Sequence, residues 1–149
     1  LFVAAMALPE PTWGALLREP VDAATLRPKL TEIVRRMMAF FSELLPRMMM
    51  HWSNGGAAEA LCPRGQSEAA PVRNHRELSA WFAQLRERGL VGPCDPSVVA
   101  RALMGSAHSY VFFDVMGFHP ADGPPAESFA ETLVDTLWRG IAPPPEEAE

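Results

Sequence analysis

Residues 92–116 read G-P-C-D-P-S-V-V-A-R-A-L-M-G-S-A-H-S-Y-V-F-F-D-V-M. Asp95 is a strong helix N-cap, and Pro96 suits the first helical position, where a missing N–H costs nothing. Beyond Ser97 the only Lys, Arg, His, Asp or Glu side chains are Arg101, His108 and Asp114. A helix that is apolar on nearly every face needs cover on nearly every side. In a chain of 149 residues, this predicts cover by its own core on one side and by a second subunit on the other, hence a homodimer.

The rest of the composition narrows the class. Hydrophobic residues make up 48% and charged residues 21%, the balance of one globular domain with a real core. A net charge of −5 gives no general attraction to nucleic-acid phosphates or anionic lipid. Arg101, His108, Asp114 and Gly105 interrupt the apolar run, and basic flanking residues are lacking, which argues against a membrane span. Cys62 and Cys94 stand apart in Pro-bounded segments without metal spacing, so they read as reduced thiols of a cytoplasmic protein in preference to a disulfide. No secretory signature opens the chain, which starts at Leu1 in a segment that reads as the middle of a helix.

Helical signals account for the remaining segments. Leu1–Leu8 reads as a short apolar helix stopped by Pro9 and Pro11, and residues 10–20 read as a further turn. A long helix starts near Thr25–Pro28 and repeats apolar residues in steps of three and four, from Leu30 through Ile33, Met37, Phe41, Leu44 and Met48 to Trp52. Pro46 should kink or split it, and Asn54-Gly55-Gly56 should end it. Residues 53–72 read as a mobile loop. Asn74 with Glu77 resembles a capping box that opens the next helix, whose stripe is Leu78, Trp81, Phe82 and Leu85 and whose stop is Gly89. The Asp95 helix ends near Gly117, and a loop leads to a last helix over 126–139, followed by a frayed acidic tail over 143–149. No strand pattern occurs, so the expected fold is an all-α bundle of about six helices.

Catalytic patterns are missing from the sequence. The four histidines form no H-x-x-x-H, no paired carboxylates support acid–base work, and no Gly-rich phosphate loop is present. Met48-Met49-Met50-His51 offers soft donors for copper(I), but consecutive helical residues fan around the axis and cannot face one ion. The sequence thus predicts no enzyme, no cofactor and no metal.

Two segments carry a family resemblance. L-R-E-R-G-L-V (85–91) leads into D-P-S-V-V-A-R-A-L-M-G (95–105), and F-A-E-T-L-V-D-T-L-W-R-G-I-A-P (129–143) follows later. Their content and order resemble the C-terminal ligand-binding and dimerisation domain of TetR-type bacterial transcriptional regulators. The resemblance covers most of the chain and is weakest over 9–21 and 53–73. It implies that residues 1–8 end a linking helix from an N-terminal helix-turn-helix that this sequence lacks. DNA contact would then belong to a longer protein, in keeping with the acidic charge.

The resemblance also implies sites. In this family inducers bind between the kinked long helix and the two helices after the loop. That points to a small apolar or aromatic effector held by Met37, Phe41, Leu44, Met48, Trp52, Trp81, Leu85, Met104, His108 and Phe112, with flexible methionines accommodating varied ligands. The same residues also fit a plain core. His108 shares a helix face with Arg101 and Met104, and either hydrogen-bonds a ligand or packs as a satisfied histidine, against Ser109 or across a dimer. Tyr110 carries the same two readings, and Asp114 either pairs with an arginine or lies exposed. The family's dimer is a four-helix bundle of two helices and their symmetry mates, which assigns Ala102, Gly105, Ser106, Ser109, Tyr110, Phe113, Leu133, Leu137 and Trp138 to the interface. A stand-alone helical module that binds small molecules or proteins without contacting DNA is the alternative.

Overall fold

The computed structural model describes residues 9–54, 68–118 and 123–143. Among them are five helices and no strand: α1 (Gly14–Arg18), α2 (Ala23–Ser53), α3 (Ala70–Glu87), α4 (Pro96–Val115) and α5 (Ala126–Ile141). The expected helix over 1–8, Cys62 and most of the acidic tail lie outside the described residues.

Capping chemistry sets where the helices begin and end. Asp95 caps α4 as expected, its carboxylate accepting from the Ser97 and Val98 N–H groups at 2.8 and 3.2 Å. α2 starts earlier than the periodicity suggests. Asp22 accepts from Thr25 N–H at 2.9 Å, and Thr25 Oγ1 accepts from Asp22 N–H at 3.0 Å, a reciprocal box that fixes the first turn at Ala23. Gly89 and Gly117 follow α3 and α4 at φ +70° and +72°, the left-handed geometry that closes a helix.

Four sequence expectations are corrected. Of the two outcomes expected at Pro46, a kink or a split, the split does not occur: α2 runs through Pro46 as one helix, as it does through Pro28. The ring at Pro46 removes the donor for the Ser42 carbonyl, and both residues are exposed, so water can replace the lost bond. Ser53 still belongs to α2, and Ala70–Val72 already belong to α3, so the expected loop over 53–72 is too long at both ends, and its residues 55–67 lie outside the described residues. α3 begins four residues before Asn74, with Pro71 in its first turn and no side-chain cap; Asn74 is a buried interior residue and makes no capping box with Glu77. α5 also continues past Arg139 through Gly140 to Ile141.

One core joins these elements. α4 packs chiefly against α2 and α3, and α5 lies against α2. Leu26, Leu30, Ile33, Val34 and Met37 from α2 meet Leu78, Phe82 and Leu85 from α3 and Ala100, Leu103 and Ala107 from α4, all essentially without solvent exposure. Burial of each large side chain contributes roughly 1.5–3 kcal/mol. Trp13 anchors α1 edge-on against Phe40, with ring centroids 5.0 Å apart. Lys29 donates to the carbonyls of Glu19 and Pro20, and Arg88 to that of Val21 at 2.7 Å, so two cations hold the α1–α2 connection. Exposed ion pairs Arg27–Asp135 and Arg35–Glu131 bridge α2 and α5 and add little. No helix among the described residues is long and apolar enough to cross a membrane.

Candidate functional site

α4 has an open flank on each side of its buried stripe. On one flank lies a cavity of about 450 Å³ between α2, α3 and α4. α2 supplies Phe41, Leu44, Leu45, Met48 and Trp52; α3 supplies Pro71, Val72 and His75; α4 supplies Arg101, Met104, Gly105 and His108. The α2 residues recur at helical spacing, so one face of a continuous helix forms the wall. Pro46 faces solvent and does not line the cavity. Trp52 is 56% exposed and forms the rim.

Six residues expected at a ligand site meet here: Phe41, Leu44, Met48, Trp52, Met104 and His108. Four do not. Met37, Trp81 and Leu85 are core residues, and Phe112 stands behind His108 with its ring stacked on the imidazole at 6.2 Å. Sequence reasoning left Arg101, His75, Leu45, Pro71 and Val72 out of the set. Arg101 was within reach, since it lies three residues before Met104 and seven before His108 on one face. Pro71 and Val72 were lost with the misplaced start of α3.

The polar groups of the cavity are few. His108 contacts Phe41 edge-to-face at 5.2 Å and makes no hydrogen bond among the described residues. Its apolar surroundings remove enough water to push the imidazole below the usual histidine range, although the ring is reached by solvent at the cavity mouth. At neutral pH it therefore offers one donor and one acceptor, both unused. His75 Nε2 lies 3.0 Å from the Ser97 carbonyl, to which it can only donate. Arg101 makes no hydrogen bond or ion pair with a described residue.

A second cavity, of about 570 Å³, lies on the other flank of α4 toward the start of α5. Gly105, Ser106, Ser109, Tyr110 and Phe113 line it, facing Pro124, Pro125 and Phe129. These five are among the residues assigned to a subunit interface. Of the others, Ala102, Leu133, Leu137 and Trp138 are half-buried within the chain, and Trp138 carries the Arg27 guanidinium 5.7 Å above its ring. Tyr110 stacks against Phe129 at 4.2 Å and donates to the Pro124 carbonyl at 3.1 Å. Burial first, then the carboxylates of Asp114 and Glu127, push its phenol up, so it remains a neutral donor. Phe113 in this lining, and Val115, Met116 and Phe118 beyond it in sequence, expose large apolar surfaces.

Among the described residues no three His, Cys, Asp or Glu side chains gather in a way that could hold a metal ion. Cys94 forms no disulfide, and burial pushes its thiol up. Comparison with known proteins gave no match: no family model, no curated protein and no solved structure resembles the chain closely enough to be reported.

Proposed function

We propose that this chain is the effector-binding and dimerisation domain of a TetR-type regulator, most simply a repressor. The observation that carries the reading is that Gly105 lines both cavities. One helix, thinned to backbone at that point, separates an apolar cavity from an uncovered aromatic face. A small apolar or aromatic effector enters between α2, α3 and α4. The opposite flank of α4, with α5, meets its symmetry mate in a homodimer.

In this reading the effector acts by differential binding. It favours the arrangement of α4 that suits the filled cavity, and that arrangement changes how the two subunits are set against each other. DNA-binding heads attached ahead of residue 1 respond to the change in spacing. The device is a population shift between DNA-competent and DNA-incompetent dimers, and a coupling of about 1–3 kcal/mol suffices for a 5- to 150-fold response. The protein works in the cytoplasm, performs no catalysis, and reaches DNA only through that N-terminal segment.

The reading frame upstream of Leu1 provides the test. A helix-turn-helix ending in a Lys-Glu-x-Leu-like stretch, together with operator binding that apolar ligands weaken, is the expected result. A frame without such a segment overturns the regulator reading and leaves a stand-alone binding module.

A further inference from the structure

The α2–α3–α4 cavity has an asymmetry of charge. Its walls are apolar apart from Arg101, His75 and His108, and none of its described lining residues is acidic. Arg101 has no partner among the described residues, and neither has His108. Both lie on the same face of α4, seven residues apart, with Met104 between them. An apolar chamber whose guanidinium has no partner among the described residues is complementary to a particular ligand shape.

We propose that the ligand of this cavity is an organic acid, an apolar body carrying one carboxylate, with Arg101 as the residue that binds the carboxylate. The inference rests on the effector-site reading above and adds the chemical class. The planar guanidinium presents two parallel N–H donors that match a carboxylate's two oxygens. His108, held neutral in its apolar surroundings, donates one further hydrogen bond without adding a charge. Phe41, Leu44 and Met48 enclose the body of the ligand. An uncharged ligand would fill the same space and leave Arg101 unpaired.

Calorimetric titration of the full chain with matched acid and amide probes tests this. 1-Naphthaleneacetate is compared with 1-naphthaleneacetamide, and octanoate with octanamide, so that an aromatic and an alkyl body are each tried with and without charge. The expected result is that at least one acid binds about tenfold or more tighter than its amide. Arg101→Gln should abolish that preference and leave the amide's affinity within about twofold. Arg101 is exposed and makes no hydrogen bond or ion pair with a described residue, so circular dichroism and thermal midpoint should be those of the wild type. Equal affinity of acid and amide, or a preference that survives Arg101→Gln, overturns the organic-acid inference and leaves the effector site standing. Failure of all four probes to bind overturns both.

Discussion

The Gly92 N–H donates to the Ile141 carbonyl at 2.8 Å, joining the turn that precedes α4 to the last turn of α5. The two backbones approach so closely that a Cβ on Gly92 would lie 2.5 Å from the Ala142 oxygen. That oxygen is backbone and cannot swing aside. Gly92→Ala should therefore destabilise the fold by about 1–3 kcal/mol, the usual range for overpacking. It would be seen as a lower urea midpoint at unchanged slope. Gly140→Ala is the control. A Cβ there meets nothing within 4 Å, and the site is helical, so stability should hold or rise by up to about 1 kcal/mol. Equal melting of Gly92→Ala and wild type would show that the contact constrains nothing.

This contact also marks the limit of what the sequence alone discloses. Asp95-Pro96 announces the start of α4 because capping is settled within four residues. Gly89 and Gly117 announce helix ends for the same reason. Gly92 gives no such signal, because its constraint comes from a residue fifty positions away. Asn74 misled because a capping box and a buried mid-helix asparagine look alike until Pro71 is recognised as the first turn. At the cavity, the period of α2 brought Phe41, Leu44 and Met48 to light, whereas Met37 shares that period and is wholly buried one turn earlier. Periodicity selects a face; only packing decides which length of that face stays open.

The N-cap of α4 should be worth a measurable share of stability. Asp95 satisfies two N–H groups that have no partner inside the helix. Asp95→Ala is expected to cost about 1 kcal/mol, and Asp95→Asn much less, since the amide oxygen can accept the same bonds. Denaturant titration of both variants separates capping from charge. A loss as large for Asn as for Ala would assign the effect to charge instead.

His108 should give stability a pH dependence of defined sign. Burial lowers its folded value below that of free histidine. As pH falls, the unfolded chain takes up the proton first, so the folded state loses ground. The contribution of the neutral ring is complete above the ordinary histidine range. It is lost as pH falls from there to the lower folded value, and it levels off beneath that. His108→Gln should flatten this part of the stability curve relative to wild type, measured by urea titration between about pH 7.5 and 5. The His108 ring proton resonance, followed by NMR, should titrate below free histidine. Titration at or above that value would mean that the cavity face is as wet as bulk solvent.

Subunit association should depend on the aromatic flank of α4. Phe113 is 43% exposed at the second cavity, and Phe118 nearby is 61% exposed, too much apolar surface for a helix flank without a partner. If this face pairs with its symmetry mate, sedimentation equilibrium will give a dimer at micromolar concentration. Phe113→Glu would then place an unpaired carboxylate in each half of the interface. The dissociation constant should rise at least about thirtyfold, roughly 2 kcal/mol. Helix content should be kept, because Phe113 is outside the core cluster. Val98→Glu is the matched control: Val98 is 63% exposed on the same helix but lies in its first turn, away from the second cavity, where a negative charge is favourable. A monomeric wild type, or equal weakening by both variants, would remove this face from the interface.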